Sequence, residues 1–146
     1  MGQLSAGTLR ERIHDRWRVL GYDFPALVHP TAWLADDVAL ANGVQIMAGA
    51  IVQPGCSIGE NSVINTRAGI DHDCRIAANV HIAPGATLCG AVSVAAGAFI
   101  GAGAVLIQGL KVGERAVVGA GVALVRDLGP GQTLIGASNR LRLPVV

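Results

Sequence analysis

A six-residue repeat runs through most of the chain and restricts the folds that it can adopt. Every sixth residue from Val28 to Leu124 is Val, Ile or Leu, seventeen times in succession. These three residue types make up 42 of the 146 residues, so a run of this length has a chance probability on the order of one in a billion. A fixed short period indicates a solenoid, in which each repeat packs mainly on its neighbours.

Each repeat has a second small or apolar position, four residues after the aliphatic one. Ala50, Cys56 and Ser62 occupy it, and the series extends to Leu128. Because this position and the next aliphatic flank a single residue, the two side chains point to the same side of a very short strand. The sequence therefore predicts two inward columns that fill a narrow interior. Aliphatic side chains must supply this core, since only five residues are aromatic.

Tight corners must join such short strands, and one corner residue tends to need a left-handed backbone, which favours Gly, Asn and Asp. Twelve residues of these types share one register: Gly43, Gly49, Gly55, Asn61, Asp73, Asn79, Gly85, Gly97, Gly103, Gly109, Gly121 and Asp127. Short strands satisfy their backbone groups only by stacking on the next turn of chain. The sequence thus predicts an all-β parallel β-helix, a triangular prism of about five to six coils with three hexads in each.

An amphipathic helix is predicted before the repeat, over residues 6–20. Its apolar side chains lie three or four residues apart, and Gly21 ends it: Leu9, Ile13, Trp17 and Leu20. Four arginines lie between them, and we interpret these as a solvated face in preference to a site for an anionic partner. The expected organisation is a helix and linker over 1–27, the β-helix over 28–128, and a tail over 129–146 that packs over the last coil or a neighbouring chain.

Composition argues against several classes of protein. The net charge of +1 gives no field that would attract nucleic acid or a membrane surface. Three cysteines without a CxxC pair predict neither a disulfide framework nor a zinc site. The N-terminus is charged where a signal peptide is apolar, and no uninterrupted apolar segment is long enough for a membrane span. We therefore expect a soluble, cytoplasmic protein with no nucleic-acid or membrane partner.

The hexad pattern resembles that of the hexapeptide-repeat acyltransferases. Three segments, NTRAGIDHDCRIAANVHIAPGATLCGAVSV, FIGAGAVLIQGL and VVGAGVALVRDL, are similar to the sugar O- and N-acyltransferases of sialic acid, bacillosamine and perosamine biosynthesis. The specific feature is a corner histidine flanked by acids and followed nine residues later by His-Ile. The resemblance implies a left-handed β-helix and a homotrimer. Those enzymes also carry an N-terminal Rossmann-like domain for the nucleotide-sugar, and this sequence resembles only its last helix and linker.

His72 is the candidate general base. It follows Ile70 by two residues, on a corner, so its imidazole is expected to lie outside the prism. An amine or hydroxyl acceptor must lose a proton as it attacks a thioester, and a histidine with a near-neutral pKa suits that task. The resemblance implies that His72 takes this proton and that Asp73 raises its basicity, because a carboxylate favours the imidazolium. A solvated corner histidine is the alternative.

The resemblance also implies a binding site for the co-substrate acetyl-CoA. Four residues fall at positions that contact acetyl-CoA in the family: His81, Gly90, Ala102 and Ala120. A column of small residues suits a thin pantetheine arm: Thr66, Pro84, Ala102 and Ala120. Asn65 and Asp71 are corner residues that either hold the acceptor or only stabilise their turns.

His81 and His72 are expected on different sides of the prism. His81 lies in the middle of a predicted strand, whereas His72 lies on the opposite corner. The two histidines therefore cooperate only if neighbouring chains bring them together, as in a trimer with clefts between its prisms. Packing of His81 in an interface without a chemical role is the alternative.

The expected function is acetyl-CoA-dependent transfer of an acetyl group to the amino group of a nucleotide-linked amino sugar, with no metal. Sugar O-acetylation and a non-catalytic trimerisation scaffold remain alternatives. A carbonic anhydrase of the γ type would need three histidines around zinc, and no histidine follows His81.

Overall fold

The computed structural model describes residues 8–136. The chain begins with one helix, α1 (Leu9–Val19), and continues with eighteen two-residue strands. Their bounds are β1 Leu27–Val28, β2 Trp33–Leu34, β3 Ala39–Leu40, β4 Gln45–Ile46, β5 Ile51–Val52, β6 Ser57–Ile58, β7 Val63–Ile64, β8 Gly69–Ile70, β9 Arg75–Ile76, β10 His81–Ile82, β11 Thr87–Leu88, β12 Ser93–Val94, β13 Phe99–Ile100, β14 Val105–Leu106, β15 Lys111–Val112, β16 Val117–Val118, β17 Ala123–Leu124 and β18 Thr133–Leu134.

The strands form three parallel sheets, one on each side of a prism. Sheet A contains β1, β4, β7, β10, β13, β16 and β18; sheet B contains β2, β5, β8, β11, β14 and β17; sheet C contains β3, β6, β9, β12 and β15. Each strand pairs in parallel with the strand one coil away, so that Ile64 lies beside Ile82 and Ile82 beside Ile100. The predicted fold class, a left-handed parallel β-helix with a short N-terminal α-helix, is confirmed.

The two predicted inward columns form the core. Ile64, Ile82 and Ile100 are fully buried on sheet A, and each contributes on the order of 1.5–3 kcal/mol through burial of its side chain. Ser62 brings a hydroxyl into this interior. That hydroxyl donates to the Ala77 carbonyl oxygen at 2.8 Å and accepts from the Val80 N–H at 3.0 Å, so burying it costs little.

The corners adopt the predicted left-handed backbone at eleven of the twelve positions, and Asp127 is the exception. Residues other than Gly, Asn and Asp also adopt it at corners for which residue type predicts no such backbone: Arg67, Ala91 and Arg115. Hydrogen bonds to the preceding coil hold these corners, for example from the Asp73 N–H to the Pro54 carbonyl oxygen at 3.0 Å. At Asp127, the carboxylate instead accepts a hydrogen bond from the Lys111 N–H at 2.8 Å.

The repeat does not stop at Leu128 but loses two residues there. Val112 forms a bridge with Leu128, sixteen residues later, whereas Val94 pairs with Val112 at the usual eighteen. Leu128 is therefore equivalent to Val112, and its prediction as a member of the second column is wrong. Strand β18 then extends sheet A by pairing with β16. Of the predicted tail, residues 137–146 lie outside the described part of the chain.

Helix α1 packs on the corner between sheets C and A through polar side chains. The apolar residues of the predicted amphipathic helix do not form this contact, because Leu9, Trp17 and Leu20 are exposed whereas His14 is buried. The corner presents backbone carbonyl oxygens, which require hydrogen-bond donors when they are covered. Arg10 supplies these donors, so the prediction that every arginine lies on a solvated face is also wrong.

Ion pairs fix the two ends of α1. Glu11 pairs with Arg115 at 3.2 Å, and Arg18 pairs with Glu60 at 2.5 Å. The helix thus lies antiparallel to the direction in which the coils advance. Within residues 8–136, no helix combines the length and the apolar character that crossing a membrane requires.

Candidate functional site

His72 lies on the corner between β8 and β9, held by the carboxylates on either side of it. Its Nδ1 is 2.8 Å from Asp73 Oδ2, and Asp71 Oδ1 accepts the His72 backbone N–H at 2.8 Å. Asp73 adopts the left-handed conformation, with φ of 60°, which turns its carboxylate back toward the ring. The His72 side chain is 61% exposed. An oriented imidazole therefore stands on the surface, open to a second molecule.

The two carboxylates raise the pKa of His72 above its ordinary value, first through the hydrogen bond with Asp73 and then through the negative charge of Asp71. In the neutral ring, the Nδ1–H donates to Asp73, so the free lone pair is on Nε2. This is the protonation pattern of a general base whose second nitrogen is held by a carboxylate.

Two glycines, one coil before and one coil after, bracket this pair. A Cβ at Gly90 would lie 2.6 Å from His72 Nε2, and one at Gly55 would lie 2.5 Å from Asp73 Oδ1. Each glycine therefore provides space for a functional side chain. The sequence identified Gly55 only as a corner residue. The sequence signal for its contact with Asp73 is their separation by one coil of eighteen residues.

His81 occupies a different environment, on β10 in sheet A. It is 4% exposed, its ring lies 5.2 Å from the Phe99 ring, and its Nε2 is 3.2 Å from Asn65 Nδ2. Burial lowers the pKa of His81 to about 4, with a further contribution from the positive charge of Arg10. His81 is thus a neutral wall residue at physiological pH.

A cleft of about 530 Å³ opens beside His81, along sheet A and the corner between sheets A and B. Its lining is mostly apolar and small: Asn65, His81, Ala83, Pro84, Phe99, Gly101, Ala102, Val117, Gly119, Ala120 and Ile135. Three of the four residues predicted to contact acetyl-CoA are here, namely His81, Ala102 and Ala120. The fourth, Gly90, lies against His72 on the other corner.

The predicted site residues therefore form two groups on one chain. Asp71, His72, Asp73 and Gly90 lie at the corner between sheets B and C, and Asn65 lies with His81 in the cleft. Asn65 and Asp71 both use one side-chain oxygen in a turn, since Asn65 Oδ1 accepts the Thr66 N–H at 2.7 Å. The sequence did not identify Phe99 or Ile135 as cleft residues. Among residues 8–136, no three His, Cys, Asp or Glu side chains are grouped as metal ligands.

Residues 37–71 and 55–90 match the family described as bacterial transferase hexapeptide (six repeats). This match lies within the β-helix, over residues 37–90. No curated protein matches its sequence, but several solved structures are similar to it over most of its length.

One similar structure is that of a mutant perosamine N-acetyltransferase from Caulobacter crescentus in complex with CoA and GDP-perosamine. Its sequence is 39% identical to this chain, and the TM-score is 0.86. The similarity covers 88% of this chain and 61% of that protein. The acetyltransferase domain of PglB from Neisseria gonorrhoeae, in complex with acetyl coenzyme A, is 37% identical with the same TM-score, covering 88% of this chain and 62% of its own. WeeI from Acinetobacter baumannii is 26% identical in sequence, with a TM-score of 0.87. The similarity covers 92% of this chain and 65% of WeeI. The chain spans less than two thirds of the length of these proteins.

Proposed function

We propose that this chain is the catalytic β-helix of an acetyl-CoA-dependent N-acetyltransferase that acts on a nucleotide-linked amino sugar. The observation that carries the proposal is the exposed His72–Asp73 pair, with Nδ1 and Oδ2 2.8 Å apart. It lies on a β-helix 37–39% identical to two acetyltransferases whose structures hold CoA or acetyl-CoA. A nucleotide-linked acceptor is supported by the GDP-perosamine bound to one of them.

In this mechanism, His72 accepts a proton from the acceptor amine and later donates it to the leaving sulfur. The acceptor amine attacks the thioester carbonyl carbon, and His72 Nε2 takes the proton that the nitrogen loses. The tetrahedral intermediate then collapses, its C–S bond breaks, and the departing sulfur takes the proton from the imidazolium. The products are the acetamido sugar and CoA, and the base is restored. Asp73 stabilises the imidazolium between the two transfers.

The cleft beside His81 suits the pantetheine arm of acetyl-CoA. Its volume of about 530 Å³ is within the usual range for small-molecule sites, and its glycines and alanines allow a thin chain to approach the backbone. Apolar lining predominates there, and Asn65 with His81 adds a polar end. We infer that acetyl-CoA lies along this cleft with its thioester toward a His72 side chain.

The two halves of the site meet between subunits in our proposal. Sheet B lies between the corner that carries His72 and the corner that borders the cleft. Its outer face exposes Trp33 at 50%, Ile51 at 46% and Val105 at 42%. Exposed apolar side chains of this kind favour burial against another protein surface. A ring of three chains in contact through this face would place the His72 of one subunit beside the cleft of the next.

Thiol release from acetyl-CoA, followed with a panel of nucleotide-linked amino sugars, tests the proposed reaction. Replacing His72→Ala should lower kcat/KM by about 10²–10⁴-fold while the oligomer stays intact in light scattering. His29→Ala is the matched control, because His29 is also exposed at a corner of the prism. Wild-type rates in His72→Ala would remove His72 from the mechanism. Product mass and susceptibility to mild alkali distinguish an amide from an ester and so separate N- from O-acetylation.

A further inference from the structure

Arg10 connects helix α1 to the strand that carries His81. Its guanidinium donates to the carbonyl oxygens of Asn61, of Asn79 at 3.0 Å and of Val80 at 3.3 Å. These carbonyls belong to two successive coils at one corner, and Val80 immediately precedes His81. A single planar group with several fixed donors can bridge such a set, whereas an ammonium cannot do so with the same geometry.

The hydrogen bonds of Asn65 determine which nitrogen of His81 carries the proton. Asn65 Oδ1 accepts the Thr66 N–H at 2.7 Å, so it is the Asn65 amide nitrogen that faces His81 Nε2 at 3.2 Å. That nitrogen is a donor only, and His81 Nε2 must therefore be an acceptor. The proton of the neutral ring is on Nδ1, which is buried and has no hydrogen-bond partner within residues 8–136.

Protonation of His81 would therefore be opposed from two sides. A second ring proton, on Nε2, would face the Asn65 amide donor and break that hydrogen bond. The positive charge would also lie near Arg10, whose Nε is likewise buried and has no hydrogen-bond partner in the described part of the chain. Within residues 8–136, the ring also contacts Phe99 and the apolar lining of the cleft. Neither supplies a negative charge that would offset this repulsion.

We propose that Arg10 is a positioning residue for the cleft: it anchors α1 to the corner that leads into β10 and, together with Asn65, holds His81 as a neutral imidazole protonated on Nδ1. The inference rests on the proposed function only where it assigns the cleft to acetyl-CoA. In that role, a neutral His81 keeps the apolar wall uncharged and leaves His72 as the histidine that titrates. The direction of the His81 pKa, lowered by burial and by Arg10, agrees with this arrangement.

Nitrogen-15 NMR of the histidine rings tests the proposal on the intact protein without any substrate. His81 is assigned by the loss of its signals in His81→Gln. The wild-type ring should show a proton on Nδ1 and remain neutral well below pH 6. Arg10→Met, which keeps the side-chain length and removes the charge, should move the titration of His81 upward by roughly one pH unit. Arg12→Met is the matched control, since it removes an exposed arginine from the same helix and should leave the titration unchanged.

Three results would overturn the proposal: an Nε2-protonated ring in the wild type, an unchanged His81 titration in folded Arg10→Met, or an equal shift in Arg12→Met. Circular dichroism establishes whether each variant folds. If Arg10→Met does not fold, Arg10→Lys is the second variant, because it retains the positive charge. His81 should stay neutral in Arg10→Lys. A higher His81 pKa in that variant would contradict the proposed effect of the Arg10 charge. Because these readouts involve no acetyl transfer, a failed thiol-release assay with the expected NMR result would refute the proposed function alone.

Discussion

The two histidines of the proposed site differ because their surroundings act on the pKa in opposite directions. His72 is exposed between two carboxylates, which favour its charged form, whereas His81 is buried near a guanidinium, which opposes it. One ring is therefore suited to accept a proton near neutral pH, and the other is suited to stay neutral. Sequence spacing placed both histidines correctly relative to the prism, but it could not distinguish their protonation.

Replacing Asp73→Asn should move the pH profile of kcat/KM to lower pH. A base works only when it is deprotonated, so the rate falls as the pH drops through the pKa of His72, which lies above the ordinary histidine value. Replacing the carboxylate whose hydrogen bond contributes most to this rise lowers the pKa of His72, and the acid limb follows it. Asp71→Asn should move the limb less, because Asp71 acts through its charge alone. A larger shift in Asp71→Asn than in Asp73→Asn would contradict this order.

Gly90→Ala should impair turnover by displacing His72. The added Cβ would lie 2.6 Å from the ring, so the imidazole must rotate away from Asp73, and misplacement of a reacting group by about 1 Å costs on the order of 10² in rate. Gly109→Ala is the control, because its corner column already holds Ala91 in the same left-handed conformation. An unchanged kcat/KM in folded Gly90→Ala would show that the ring tolerates the methyl group.

At the scale of elements, the hexad pattern predicts the strands and the two inward columns, and eleven of its twelve predicted corner positions are left-handed, because each feature depends on a few residue types at a fixed spacing. Helix α1 shows the limit of such patterns. Its apolar spacing predicts an apolar contact, but it faces a corner rich in carbonyl oxygens and packs through Arg10 and His14. The hexad pattern also does not predict the shortened coil at Leu128. The coil is two residues shorter, but an aliphatic residue still stands at the position where the pattern expects one.

Two glycine substitutions should distinguish two contributions to the free energy of unfolding. One is the loss of stability from crowding between stacked coils, and the other is the loss from a side chain on a left-handed backbone. Gly85 has φ of 67° and open space around it, so Gly85→Ala should cost about 1–2 kcal/mol. A Cβ at Gly59 would lie 2.5 Å from the backbone carbonyl carbon of Ala77 in the next coil. Gly59→Ala must separate two coils and should lower the free energy of unfolding further. Urea unfolding at one protein concentration measures both, and a smaller cost for Gly59→Ala would contradict the stacking argument.

At the scale of the whole molecule, the triangular section separates the two groups of site residues. A coil of eighteen residues places His72 and His81 on different sides, and this separation follows from the sequence alone. The surfaces that we propose to meet between chains do not follow from it, because the sequence does not show which outward residues a second chain would cover. The exposed apolar residues of sheet B, between the two proposed half-sites, are seen only in the folded prism.

Mixing two inactive variants should restore activity if each site is built from two chains. His72→Ala retains the cleft but lacks the base, whereas Ala102→Trp retains the base and fills the cleft with an indole. In randomly mixed trimers, an intact corner meets an intact cleft at about one quarter of the sites, so about one quarter of the wild-type rate should return. The double variant mixed equally with wild type should likewise give about one quarter, whereas a site within one chain would give about one half. No recovery in the first mixture, with about one half in the second, would place the complete site on a single chain.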